Sequence, residues 1–199
     1  GVTITNLGQG VPFPTTSISG GDFSFPTSVP GETSTYYKLS EDGFFDTYTL
    51  FETESGNVED LEIFDSTKVE QDYFKPTTVT IDPTKGIVTG IVRDSAGAIL
   101  PGATVEIYND SGATVAYFKG TIAVTGPTEK TDGTGWFAIF NVPPGTQLLL
   151  GKATGVQKGI PIEVFAKSVT IIPTKLKLTT ANAETISFSG ITRDLQGVP

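Results

Sequence analysis

The chain of 199 residues contains no cysteine, no histidine and no methionine. Without cysteine it forms no disulfide and offers no thiolate to a metal, which leaves its redox compartment open. Without histidine it lacks the usual general base at neutral pH and the commonest zinc ligand. Ser–His and Cys–His pairs are thereby excluded, and we assign no catalytic residue, no enzymatic activity and no cofactor. No apolar run approaches the ~18 residues of a membrane-spanning helix. Neither a signal peptide nor an initiator Met opens the sequence, which reads as a mature or excised form. Asn and Gln are also few, a depletion compatible with a thermophile or a long-lived extracellular protein.

What is present is the composition of an all-β protein rich in turns. Thr and Ser are abundant, with 23 Gly and 13 Pro for turns and 13 Phe, 6 Tyr and one Trp for cores. The length allows two domains of about 100 residues each. Charge divides unevenly: residues 1–86 hold 14 acids against 4 bases, a net of −10, and residues 87–199 hold 8 acids against 9 bases, a net of +1. An acidic half argues against a nucleic-acid partner, which needs a basic face. It equally permits a head-to-tail contact in which the acidic half of one chain meets the near-neutral half of another.

The second half carries the clearer pattern. Val88, Gly90 and Val92 alternate with Thr89, Ile91 and Arg93, the period of a half-buried strand. Asp94-Ser95-Ala96-Gly97 is turn chemistry, Thr104 to Tyr108 alternates again, and Asn109-Asp110-Ser111-Gly112 is a second turn. Thr131 to Gly135 leads into a strand from Trp136 to Phe140, followed by Asn141-Val142-Pro143-Pro144-Gly145. Leu148 and Leu150 begin a further strand, Ile162 and Val164 with Val169 and Ile171 mark two more, and Leu176 and Leu178 close the set. In order, Gly90-Ile91-Val92-Arg93-Asp94, Pro101-Gly102-Ala103-Thr104-Val105, Thr131-Asp132-Gly133-Thr134-Gly135-Trp136-Phe137 and Val142-Pro143-Pro144-Gly145 resemble the carboxypeptidase regulatory-like domain. The resemblance covers residues 87–179 and implies a transthyretin-like sandwich of seven strands. It says little about activity, since one fold hosts many functions.

The first half follows the same plan with its opening strand missing. Val2-Thr3-Ile4 corresponds to Val105-Glu106-Ile107, Asp22-Phe23-Ser24-Phe25 to Trp136-Phe137-Ala138-Ile139, and Val29-Pro30-Gly31 to the Val142–Gly145 turn. Asp42-Gly43 falls near Thr154-Gly155, and Val79-Thr80-Ile81 matches Leu176-Lys177-Leu178. Nothing in residues 1–82 corresponds to Val88–Asp94, yet residues 188–199, FSGITRDLQGVP, repeat VTGIVRDSAGAILP at 88–101. The expected organisation is therefore a sandwich at 1–82 lacking its first strand, a linker at 83–86, a complete sandwich at 87–179, a linker at 180–184 and a donor strand at 185–199.

In that strand Ile186, Phe188, Gly190 and Thr192 share one side. Left free, Ile186 and Phe188 would each forgo about 1.5–3 kcal/mol of burial, and the strand's unpaired backbone groups would template association. Four arrangements are open: insertion into the first domain of the next molecule, a covalent tandem array, self-closure, or an arbitrary cut through a longer sequence. Strand addition repeated without ring closure gives a filament of identical subunits. The expected role is a structural subunit of an extracellular or cell-surface fibre, with Val2, Ile4, Phe23, Phe25, Val79 and Ile81 lining the acceptor groove. The alternative is a tandem segment of a large surface adhesin, or a module binding protein or carbohydrate. Tyr36, Tyr37, Tyr48, Tyr73 and Trp136, with Phe44-Phe45, are the aromatic candidates for a glycan platform. Glu52, Glu54, Glu59 and Asp60 form an oxygen-rich cluster of the kind that holds Ca²⁺, but their spacing departs from an EF-hand loop. We read them as a solvated acidic loop and assign no metal.

Overall fold

The computed structural model describes residues 1–7, 13–17, 34–52, 63–69, 77–172 and 177–178. Fourteen strands and one helical turn are assigned. In the first half these are β1 (Thr3–Asn6), β2 (Phe13–Thr16), β3 (Ser34–Ser40), β4 (Asp46–Glu52) and the single turn α1 (Ser66–Val69). The second half holds β5 (Gly86–Ile91), β6 (Arg93–Asp94), β7 (Thr104–Ile107), β8 (Thr114–Lys119) and β9 (Ile122–Thr125). It continues through β10 (Trp136–Val142), β11 (Gly145–Ala153), β12 (Val156–Val164), β13 (Ser168–Ile172) and β14 (Lys177–Leu178).

The second half is a β-sandwich. One layer is the run β13-β5-β10-β8-β9; the other is the three-stranded sheet β12-β11-β7, with β14 paired to β6 at the side. Between them lies an apolar core that includes Val88, Val92, Val105, Ile107, Phe137, Ile139, Leu149, Ile162, Val164, Ile172 and Leu178. Phe137 and Ile139 are fully enclosed. Tyr117 ties the layers together, its hydroxyl accepting the Val105 N–H at 2.8 Å. The motifs read from sequence serve as its corners. Asp94 Oδ1 accepts the N–H groups of Ala96 and Ala98. The Thr131 hydroxyl accepts from Ala103 N–H and donates to the Leu100 carbonyl. Asp132 Oδ1 accepts the Thr134 N–H at 2.7 Å and its hydroxyl at 2.6 Å. These bonds hold the Asp132 carboxyl below the ordinary range. The β8–β9 hairpin, turning at Gly120-Thr121, belongs to the sheet without having been expected from the sequence.

The first half adds its strands to this layer edge to edge. β4 pairs in parallel with β13, so that the large sheet runs β2-β1-β3-β4-β13-β5-β10-β8-β9. One row of partners crosses almost its whole width, from Asn6 through Tyr37, Thr49, Ile171, Thr89 and Ala138 to Ala116. The face bearing that row is covered by residues from 63–69 and 77–81. Val69, Phe45, Phe64, Val79 and Ile81 lie against Ile87, Phe118, Ala138, Phe140, Val169 and Ile171. Consequently β5 and β13 are buried on both faces, where alternation predicted one. Thr89 makes this possible by donating its hydroxyl to the Phe137 carbonyl at 2.7 Å, since a buried hydroxyl without a partner is costly.

The stretch expected as a linker at 83–86 is a tight turn anchored to the second half. Asp82 Oδ1 accepts the Thr84 N–H and hydroxyl, and the Lys85 carbonyl accepts the Lys167 N–H. A register shift in β10 sets Asn141 at φ 60°, a conformation Asn tolerates better than most residues. From there its side-chain amide accepts the Asp82 N–H and donates to the Thr80 carbonyl, each at 2.9 Å.

Candidate assembly interface

Three features bear on assembly: the slot that β5 fills, the seam between β4 and β13, and the sheet of the first half. β5 is an interior strand of the sandwich layer, antiparallel to β10 and parallel to β13. Its backbone comes so close to its neighbours that two positions admit no side chain. A Cβ at Gly90 would lie 2.6 Å from the Ile172 carbonyl oxygen. A Cβ at Gly86 would lie 2.4 Å from the Phe165 carbonyl oxygen and 2.6 Å from Val164 Cγ1. Val88 and Val92 fill the core on one side, and Ile87 is buried on the other.

The seam has a different chemistry. On one face it carries Thr47 opposite Val169 and Thr49 opposite Ile171. The Thr47 hydroxyl donates to the Phe45 carbonyl, whereas the buried Thr49 Oγ1 has no hydrogen-bond partner. On the other face Phe165 of the second half packs against two tyrosines of the first. Tyr48 stacks on it with ring centroids 3.7 Å apart at 13°, and Tyr36 meets it edge-on at 6.3 Å and 79°. The Tyr36 hydroxyl accepts the Glu163 N–H at 2.8 Å, and burial pushes this phenol's pKa up. Nearby, Lys38 Nζ lies 2.8 Å from Asp46 Oδ2. Burial raises the Asp46 pKa, but bonds from Lys38 and Ser40 outweigh it and hold the carboxyl below its ordinary value. Hydrogen bonding to Asp46 raises the Lys38 ammonium.

In the first half, β1-β3-β4 repeats the antiparallel order of β7-β11-β12. Ile4 faces Leu39 as Ile107 faces Leu149, and the turn at Asp42-Gly43 stands where Thr154-Gly155 joins β11 to β12. Ile4, Tyr37 and Leu39 form a small buried cluster with Val2 and Ile63 against it. Of the expected groove residues, Val2 and Ile4 are thus together, while Val79 and Ile81 pack on the second half's sheet. The parallel docking of β4 on β13 separates them, with Phe64, Val69, Val79 and Ile81 lying over that sheet. Phe23 and Phe25 lie outside the described residues, as do the strand residues Ile186, Phe188, Gly190 and Thr192. Glu52 ends β4, and Glu54, Glu59 and Asp60 lie outside the described residues. No cluster of three metal-ligating side chains occurs among the described residues.

The aromatic candidates do not form an exposed platform. Tyr37 and Tyr48 are buried, Tyr36, Phe44, Phe45 and Trp136 are half-buried, and Tyr73 lies outside the described residues. Trp136 sits edge-on against Phe118 at 5.7 Å, where it supports the covered face of the sheet. The exposed aromatic ring among the described residues is Tyr108, which follows β7. No helix among the described residues is long and apolar enough to cross a membrane.

No protein family and no curated protein matches this chain. Among solved structures it is similar to a streptococcal ancillary pilin, at 16% identity and a TM-score of 0.32, over 85% of this chain and 50% of that one. It therefore spans half the pilin's length. It is also similar to a carbohydrate-binding module of family CBM26 from Eubacterium rectale, solved with maltoheptaose. There the identity is 13% and the TM-score 0.31, over 90% of this chain and 87% of that one. Likenesses at these scores carry no functional weight.

Proposed function

We propose that the chain is a non-enzymatic structural subunit of an extracellular or cell-surface filament. Its residues 185–199 add as a strand to the first-half sandwich of the next identical subunit. The two halves are, in this reading, two modules of the transthyretin-like plan, the first completed from outside. One observation carries it. The second half holds β5 as an interior strand between β13 and β10, residues 186–194 repeat that strand at an offset of 100 positions, and none of the first half's described strands occupies the place of β5. An added strand gains main-chain hydrogen bonds along its length and seats alternate side chains in the groove. The charge division, −10 for residues 1–86 and +1 for the remainder, favours contact between unlike halves over contact between like ones.

The test is deletion of residues 185–199, followed by light scattering and negative-stain microscopy at matched concentration. The full chain should form fibres that dissociate under denaturing conditions into units of 21.0 kDa, and the shortened chain should form none. Fibres that persist unchanged after the deletion would overturn this reading.

A further inference from the structure

The repeat between residues 186–194 and β5 has so far been taken as likeness, but the slot geometry gives its differences a meaning. At an offset of 100, Gly190, Ile191, Arg193 and Asp194 coincide with Gly90, Ile91, Arg93 and Asp94. These are the positions that set the backbone: Gly90 allows the close approach to Ile172, and Asp94 holds the turn that follows. On the inner face only the glycine at 90 is kept. Ile186 stands for Gly86, Phe188 for Val88 and Thr192 for Val92 on the inner face, and Ser187 stands for Ile87 on the outer.

The second half's slot rejects each of these. An Ile at position 86 would put its Cβ within 2.4 Å of the Phe165 carbonyl oxygen, a backbone atom that no side-chain rotation moves. Val88 has no exposed surface, and a phenyl ring in its place would overpack the core. Val92 is equally enclosed, and a threonine there would bury a hydroxyl. On the outer face Ile87 is buried in the cluster that includes Val69, Val79 and Ile81, and a serine would surrender that contact.

We infer that residues 186–192 are excluded from the β5 slot of their own and every other second half. The groove they fit differs from that slot in two defined ways: it is wider on its inner face opposite 186 and 188, and open to solvent on its outer face opposite 187 and 189. Side-chain size at 86 and 186 thus sorts the two strands, so that the 185–199 strand of an assembling chain does not displace β5 in its own or another second half. The inference rests on the strand-addition reading for the identity of the groove, but the exclusion itself does not.

Two experiments separate them. In the chain lacking residues 185–199, Gly86→Ile should lower the urea midpoint of the transition reported by Trp136, the single tryptophan. An unchanged midpoint overturns the exclusion, whatever the chain's assembly state. In the full chain, I186G/F188V alters only the added strand, outside every element of the second-half sandwich. It should raise the critical concentration for fibre formation at least about tenfold, the loss expected from two buried side chains cut back. If deletion of 185–199 abolishes fibres while I186G/F188V leaves the critical concentration unchanged, strand addition stands and the inferred groove shape is wrong. If the deletion leaves fibres intact, strand addition itself fails.

Discussion

The same three-strand meander occurs twice in this chain and is used in two ways. As β7-β11-β12 it faces a five-strand layer across a core of Phe137, Ile139, Leu149 and Ile172. As β1-β3-β4 it lies side by side with that layer, joined through Thr47, Thr49 and Thr170. The first arrangement gains from burying apolar area, at about 25 cal/mol per Å². The second gains from a ladder of main-chain bonds, from Tyr36 and Tyr48 against Phe165 and from Phe64, Val69, Val79 and Ile81 packed on the second half's sheet. The seam itself is rich in threonine, with Thr49 Oγ1 unpartnered. The difference teaches that one strand order serves as an opposing layer in the second half and as an edge extension of the sheet in the first.

Substitutions along this contrast should grade accordingly. Phe137→Ala, in the fully enclosed core, should cost about 3–5 kcal/mol and abolish the Trp136-reported transition near ambient temperature. Gly90→Ala, which forces a Cβ to 2.6 Å from the Ile172 carbonyl, should cost about 1–3 kcal/mol in the same denaturation. Phe165→Ala should leave that transition nearly in place. It should instead speed hydrogen exchange in β3 and β4, with an aromatic contribution of about 0.5–1.5 kcal/mol. Equal acceleration of exchange in both halves would show that the seam and the core are one cooperative unit.

The smallest effect concerns the Lys38–Asp46 pair, whose side chains are 31% and 44% exposed. Solvent screening limits such a pair to about 0.2–1 kcal/mol. Asp46 is held below its ordinary value, so its contribution is full above that value and disappears as pH falls through the lower folded one. Lys38 is raised, so its contribution is full below the ordinary lysine value and lost as pH rises through the higher folded one. Asp46→Asn should therefore flatten the acid limb of first-half stability slightly and leave the second half's pH profile unchanged.

Much of the second half was legible because its signals are local. Asp94, Thr131 and Asp132 make turns with their own neighbours, and the Val142–Gly145 corner separates β10 from β11. The β8–β9 hairpin was missed because Val115-Ala116-Tyr117-Phe118 is a continuous apolar run, which periodicity does not assign. Lys119-Gly120-Thr121 between two such runs was the hairpin signal available. The covering of the sheet by Phe64, Val69, Val79 and Ile81 was not legible at all. It depends on β4 docking beside β13, and no pattern within either strand specifies a partner more than 100 residues away. Ile87 and Thr89 therefore read as outward residues until their covering layer is seen. In the first half the three-strand sheet was legible through Val2, Ile4 and the Asp42-Gly43 turn, whereas Val79 and Ile81, expected in the acceptor groove, pack on the other half.

The account stands most directly on whether the first half accepts the 185–199 sequence. The decisive measurement is hydrogen exchange in β1, β3 and β4 of the chain lacking those residues, with and without a synthetic peptide of residues 185–199 in excess. Protection of these strands should rise with the peptide in a saturable, one-to-one manner, while β10 and β11 stay unchanged. Protection that does not respond to the peptide, or that changes equally in both halves, would contradict it.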